Sequence, residues 1–200
     1  IRRYPPVSFP GKLLAFLYER FKAFAGSRQS GMVIIPTELI VDNGKKLESI
    51  VTELAYLNAL EESFIDWLET SNTFCNSLVD RIVPGKPEKV LKKNIEDEIG
   101  YNDELMLITE VYRLWAIEGN EETAKLLSFA KADKGVVIAP DINLFRELKL
   151  RLLNATHTLS CAVAFLSGIA TVKEAMDDEH MEDYVIRLMQ KEIAPAIPIV

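Results

Sequence analysis

The chain has 200 residues, 48% hydrophobic and 26% charged, a composition typical of globular proteins and long enough to bury a sizeable core. Its net charge of −7 argues against a nucleic-acid partner, because phosphate binding needs clustered Lys and Arg. No apolar run approaches the about 18 residues that span a membrane, and the first residues show no signal-peptide pattern. We therefore expect a cytoplasmic protein with neither a membrane nor a nucleic-acid partner.

Hydrophobic periodicity predicts alternating helices and short strands in the first part of the chain. Helices are expected at 11–25, 45–57 and 64–69, and strands at 32–35, 78–83, 114–117 and 136–139. Asn43-Gly44 favours a turn. The basic cluster at 86–93 is interleaved with acidic residues and favours a solvated loop or helix.

The pattern changes after Pro140, where 144–166 and 171–192 are both helical with no strand between them. The fold class predicted is α/β followed by all-α. Residues 1–140 fit the latter part of a doubly wound, Rossmann-type dinucleotide-binding domain, whose short buried strands suit a parallel sheet. Residues 141–200 fit the start of a helical C-terminal domain.

Metal chemistry is not indicated by the sequence. Cys75 and Cys161 are isolated, and the two histidines, His157 and His180, lie in no metal-binding pattern. We expect neither a disulfide framework nor a metal site.

The run from Lys149 to His157 combines a lysine, an amide and an imidazole among good helix formers. At about 100° per residue, Asn154 lies roughly 140° from Lys149 and His157 roughly 80°, so one broad face of an α-helix holds all three. Such groups can move a proton to or from an alcohol while polarising its carbon–oxygen bond. The alternative is that the Lys and Asn are solvated and the His is packed.

Four blocks carry a resemblance to a known family. Lys149-x4-Asn154-x2-His157 resembles the signature of the long-chain mannitol dehydrogenase family, and 74–84 (FCNSLVDRIVP), 112–118 (YRLWAIE) and Asp141-Ile142 are similar to its other conserved segments. The blocks occur in the family's order. The resemblance implies an NAD-dependent oxidoreductase with a Rossmann domain and a helical substrate domain.

The segment 31–40 (GMVIIPTELI) resembles one branch of this family, the tagaturonate reductases or altronate oxidoreductases. That resemblance implies NAD-dependent, reversible reduction of a small keto-uronate, tagaturonate, to altronate by a monomer or weak homo-oligomer. Fructuronate reductase and a mannitol-type polyol dehydrogenase are the alternatives within the family. A non-catalytic helical interaction module is the alternative outside it.

Roles for individual residues follow from the resemblance and the chemistry. Lys149 is the expected general acid/base, because desolvation can lower the pKa of a lysine toward neutrality. Asn154 and Asn76 are the expected donors to the carbonyl oxygen as it becomes negative. For Asn76 a turn or capping role beside the strand is the alternative. His157 is expected to bind a substrate hydroxyl, with a packed core histidine as the alternative.

Arg146 is expected to bind the carboxylate that distinguishes a uronate from a hexitol, since a guanidinium pairs bidentately with a carboxylate. A surface ion pair with Glu147 or Asp141 is the equal alternative. Glu38 and Asn43 are expected to line the nicotinamide end of NAD.

No G-x-G-x-x-G occurs in the sequence, although a nicotinamide enzyme of this type uses such a turn to hold the pyrophosphate. We expect the family's opening segment to precede Ile1 and further helices to follow Val200. The choice between NAD and NADP is not encoded in the chain, because the ribose-reading residue belongs to that opening segment.

Overall fold

A computed structural model of the protein describes residues 5–198, so the first four and last two residues of the two predicted domains lie outside it. The chain divides into two compact units after Pro140. The helices are α1 Phe9–Ala23, α2 Asn43–Leu57, α3 Glu62–Ser71, α4 Lys89–Ile99, α5 Glu121–Leu126, α6 Asn143–Leu148, α7 Thr156–Leu166, α8 Val172–Asp177 and α9 Glu179–Arg187. The strands are β1 Val33–Ile34, β2 Thr73–Phe74, β3 Ser77–Asp80, β4 Leu114–Glu118 and β5 Val136–Ala139. Two π-helical segments, Lys149–Ala155 and Leu188–Ile193, lie in the second unit.

The main hydrophobic core of the first unit lies among α1, α2 and α3. Leu17, Val51 and Phe64 are fully buried there. Tyr18 meets Phe64 edge to face with ring centroids 5.1 Å apart, an arrangement favoured by the ring quadrupoles. The three helices predicted from periodicity are confirmed, because their apolar residues recur at helical spacing and pack against one another.

The strands form two small sheets. In the first, β1 pairs with β2 in parallel; in the second, β4 pairs with β3 antiparallel and with β5 in parallel. The expectation of purely parallel pairing is therefore wrong for β3. A short buried apolar run looks alike in either direction, so composition did not reveal the antiparallel partner.

The Asn43-Gly44 dipeptide begins helix α2, so the predicted turn is wrong. The preceding Asp42 takes a left-handed conformation with φ 52°, and the chain enters the helix directly after it. The predicted strand at 78–83 ends at Asp80. Beyond that point the Arg81 guanidinium donates to the Glu110 carbonyl at 2.8 Å. The basic cluster continues into α4, which has no buried residue, as its solvated charges predicted.

In the second unit, α6, the first π-helical segment and α7 follow one another without a break. The helix predicted over 144–166 is therefore confirmed, but not its regular α-helical period. A capping box between Thr171 and Glu174 opens α8. Asp178 ends α8 and accepts hydrogen bonds from the first backbone N–H groups of α9, so the helix predicted over 171–192 is interrupted there. Among residues 5–198, no helix is long and apolar enough to cross a bilayer.

Candidate active site

Asn76 lies between β2 and β3 and is only 2% exposed. Its Oδ1 accepts the backbone N–H of Lys45 at 3.1 Å, in the first turn of α2. Its Nδ2 donates to Glu118 Oε2 at 3.3 Å, at the end of β4. The capping role considered as the alternative for Asn76 is therefore present, since its amide oxygen accepts one of the N–H groups that a helix start leaves without a partner in the helix. An amide has two N–H donors, and the bond to Glu118 uses one of them.

Asn43 makes an equally specific set of contacts and is 3% exposed. Its Nδ2 donates to the carbonyls of Pro36 and Glu38, both at 3.0 Å, and of Ser77 at 3.1 Å. These bonds fix the loop that follows β1, while the side chain of Glu38 on that loop is exposed. Asn43 therefore holds the loop that carries Glu38.

The other four predicted residues lie on the single helical stretch that crosses from α6 to α7. Arg146 belongs to α6, Lys149 and Asn154 belong to the first π-helical segment, and His157 lies in the first turn of α7. Arg146 and Lys149 are half-buried, whereas Asn154 and His157 are exposed. In the described chain His157 is thus not a core histidine.

The π-helical segment changes the geometry expected from an α-helix. Hydrogen bonds in a π-helix join residues five apart, so a residue and the fifth after it lie about one turn apart, nearly above each other. Lys149 and Asn154 have this spacing and both lie within the segment. They therefore share one face much more closely than the roughly 140° separation of an α-helix.

Arg146 Nη1 donates to Asn143 Oδ1 at 2.6 Å. The backbone N–H of Asn143 donates in turn to Asp141 Oδ1 at 2.7 Å. Glu147, one of the two ion-pair partners considered for Arg146, bonds to Arg151 Nε at 2.6 Å. Asn143 is therefore one partner of the guanidinium.

A largely apolar groove of about 660 Å³ lies against α7, α8 and α9 in the second unit. His157, Ser160 and Cys161 lie along it among side chains such as Phe165 and Met189. Within residues 5–198, no group of His, Cys, Asp and Glu is arranged to hold a metal ion.

Glu118 is the contact that sequence reasoning missed. Glu118 is the last residue of the segment 112–118. Its bond to Asn76 joins residues 42 apart in the chain, and a local sequence pattern contains no information about such a contact. Burial and, secondarily, the Glu118 charge raise the pKa of the neighbouring Cys75 thiol. The strand end at Asn76 is therefore a buried, polar position with a nearby carboxylate.

Two family models match this chain. The family model for the mannitol dehydrogenase Rossmann domain matches residues 7–131, and that for the mannitol dehydrogenase C-terminal domain matches residues 141–200. The chain belongs to the mannitol dehydrogenase family. The family predicted from the motifs, and the fold class of a Rossmann part followed by a helical part, are thereby confirmed.

The relatives of this chain include altronate oxidoreductases. That of Bacillus subtilis (strain 168) is 44% identical over 193 residues, covering 96% of this chain and 40% of the relative. That of Yersinia enterocolitica is 40% identical over 195 residues, covering 98% of this chain and 40% of the relative. The chain thus spans about 40% of their length, and the predicted resemblance to this branch is confirmed.

Solved structures share the fold. D-sorbitol dehydrogenase in substrate-free form superposes with a TM-score of 0.73 at 23% identity, covering 98% of this chain and 39% of the other. Pseudomonas fluorescens mannitol 2-dehydrogenase, solved with NAD and D-mannitol, superposes with a TM-score of 0.65 at 24% identity. The match covers 98% of this chain and 38% of the other.

Proposed function

We propose that the full-length protein is an NAD-dependent reductase that interconverts the keto-uronate tagaturonate and altronate. The observation that carries the proposal is the helical stretch on which Lys149 and Asn154 share a face of the π-helical segment. The relatives named altronate oxidoreductase support this choice of substrate. Fructuronate and neutral ketoses are the competing substrates within the family.

Reduction of a keto group adds a hydride to the carbonyl carbon and a proton to its oxygen. In our proposal the Lys149 ammonium donates that proton, and in the reverse direction the neutral amine removes it from the alcohol. Asn154, one π-helical turn away, donates an amide N–H to the oxygen as negative charge develops there. Asn76 supplies a further N–H, and the contacts of its amide with Lys45 and Glu118 fix its orientation in advance.

When bound, the cofactor supplies the hydride chemistry: its reduced form, NADH, donates a hydride to the keto carbon, and NAD accepts it in the reverse direction. The loop after β1 fits its nicotinamide end, because ligands of doubly wound sheets bind beyond the carboxyl ends of the strands. There Glu38 presents an exposed carboxylate, and Asn43 anchors the loop carbonyls. We propose Glu38 as the contacting residue and Asn43 as the residue that holds the loop.

Arg146 is the proposed carboxylate-binding residue. Its Nη1 donates to Asn143, and a guanidinium presents five N–H donors in a planar fork. A uronate carboxylate can accept two of them in parallel. His157, exposed two residues after the π-helical segment, is proposed to bind a substrate hydroxyl.

The test is NADH oxidation by the full-length protein that the gene encodes, with tagaturonate, fructuronate and fructose as substrates. We expect the highest kcat/KM for tagaturonate. Lys149→Ala should lower kcat by about 10²–10⁴-fold, the usual contribution of a placed acid/base. Lys173→Ala, which removes an exposed lysine of the same unit, is the matched control and should leave kcat unchanged.

Three results would contradict the proposal in different ways. A preference for fructuronate or fructose would reassign the substrate. Near-wild-type kcat in Lys149→Ala would remove this lysine from the mechanism. A folded protein without turnover on any of the three substrates would favour the non-catalytic interaction module.

A further inference from the structure

We propose that Thr156 is a positioning residue, whose hydroxyl fixes the π-helical register that brings Lys149 and Asn154 onto one face. The inference rests on the proposed function for its kinetic readout, and it adds a residue at one of the unspecified positions between Asn154 and His157. Lys149–Ala155 is seven residues long, whereas π-helical geometry usually appears as a single-turn bulge in an α-helix.

The end of a π-helical segment creates a specific need. Within it each N–H bonds to the carbonyl five residues earlier, and in the α-helix that follows to the carbonyl four residues earlier. A change from five to a shorter separation skips at least one carbonyl, which then requires a donor from elsewhere. Such a donor stabilises the longer register at its C-terminal boundary.

Thr156 supplies a donor at that boundary. It is the first residue of α7, it is 9% exposed, and its Oγ1 donates to the Leu152 carbonyl at 2.5 Å. Its own backbone N–H bonds to the Leu153 carbonyl, three residues earlier, so the register shortens at Thr156 and the hydroxyl serves the adjacent Leu152 carbonyl. Both of these carbonyls lie inside the π-helical segment that carries the proposed acid/base.

The same helix contains a comparison for this contact. Thr158 Oγ1 donates to the Asn154 carbonyl at 3.0 Å, which is also a bond to the fourth preceding residue. Thr158 is exposed, however, and follows the boundary by two residues. Bonds of this kind occur in ordinary helices, so the boundary position of Thr156 is the feature that matters.

Loss of the Thr156 hydroxyl leaves the segment free to return toward the α-helical pattern. Five α-helical residues separate two side chains by about 140°, so Asn154 would turn away from the face of Lys149. A misplacement of about 1 Å at a reacting group can lower the rate about 100-fold. Ground-state binding through Arg146, which precedes the segment in α6, should change less.

The experiment compares Thr156→Val, Thr156→Ser and Thr158→Val in the full-length protein, with kcat and KM for the keto-acid substrate and a crystal structure of each variant. Thr156→Val should lower kcat about 100-fold, change KM little and shorten the π-helical segment. Thr156→Ser keeps the hydroxyl and should restore both kcat and the register. Thr158→Val should behave as wild type.

A wild-type kcat in Thr156→Val, or an intact π-helical segment without the hydroxyl, overturns the proposal. If Thr156→Val does not fold, Thr156→Cys replaces it, because a thiol is a much weaker donor of similar size. The proposed function fails separately, through Lys149→Ala. An active Lys149→Ala together with a register lost in Thr156→Val removes the catalytic role and leaves the structural one.

Discussion

Asn43 and Ser77 bond each other in both directions: the Ser77 N–H donates to Asn43 Oδ1 at 2.8 Å, and Asn43 Nδ2 donates to the Ser77 carbonyl at 3.1 Å. The Ser77 hydroxyl also donates to the Pro36 carbonyl, which Asn43 bonds as well. The start of α2, the loop after β1 and the start of β3 are therefore tied together. These are the elements that carry or position Glu38 and Asn76.

Gly44 allows this arrangement, and Gly44→Ala should disrupt it. A Cβ at this position would lie 2.5 Å from the carbonyl carbon of Cys75 and 2.6 Å from the backbone nitrogen of Asn76. Because the obstacle is backbone, we expect a loss of a few kcal/mol of unfolding free energy, measured by urea denaturation. Lys46→Ala, an exposed change in the same helical turn, is the control. Equal stability of the two variants would contradict the close approach.

Asn154→Ala and Asn76→Ala should both lower kcat more than they raise KM. Removal of one donor to a developing oxyanion typically costs about 10²–10³-fold. The two variants should differ in stability, because Asn76 is buried and its oxygen accepts the Lys45 N–H, whereas Asn154 is exposed. Thermal unfolding of both proteins tests this difference. A change confined to KM in Asn154→Ala would indicate a ground-state contact instead.

Arg146→Ala should act mainly on KM and on the choice of substrate, since a carboxylate contact exists before the reaction as well as in its transition state. A hydrogen bond to a charged group contributes about 1.5–3 kcal/mol, equivalent to about 10- to 150-fold in kcat/KM for tagaturonate. Arg146→Glu should cost more, through repulsion. The ratio of kcat/KM for tagaturonate to that for fructose is the measurement, and an unchanged ratio would make Arg146 a structural residue.

The two cysteines should differ in reactivity toward iodoacetamide. Burial raises the pKa of the Cys75 thiol, and the nearby Glu118 raises it further, so even less thiolate forms near pH 8 than in a free cysteine. Cys161 is exposed. Peptide mapping after brief labelling of the native protein should find Cys161 modified and Cys75 unmodified, with both modified in urea. In the Glu118→Gln variant Cys75 should remain unmodified under native conditions, because burial is the main cause of its protection. Rapid labelling of Cys75 in the native wild-type protein would contradict its burial.

Local signals predicted much of the fold. The apolar periodicity of 11–25 and 45–57 contains enough information to locate α1 and α2, and the apolar run at 136–139 locates β5. The antiparallel pairing of Ser77 with Ile117 was not predictable in this way, because it joins segments 40 residues apart and depends on the path of the chain between them.

For the candidate site, the residue types were predictable but their surroundings were not. Lys149, Asn154 and His157 were predicted from the family resemblance together with their spacing on an assumed α-helix, and a fixed 100° per residue contains no information about a π-helical register. The partners of Asn76 are the Lys45 N–H and the Glu118 carboxylate, 31 and 42 residues away. Contacts over such separations depend on the tertiary fold.

Because the segment is π-helical, the Lys149-x4-Asn154 spacing can itself indicate this kind of helix. A regular α-helix stacks residues three or four apart, so a protein that aligned a lysine and an asparagine on such a helix would separate them by three or four positions. In this chain the lysine and the asparagine are five positions apart, and a hydroxyl side chain, that of Thr156, follows two residues later. This pattern is expected of a helix that contains one residue more than a regular turn. Helices in unrelated enzymes can be searched for this pattern, and the structure of each match shows whether its helix contains the extra residue.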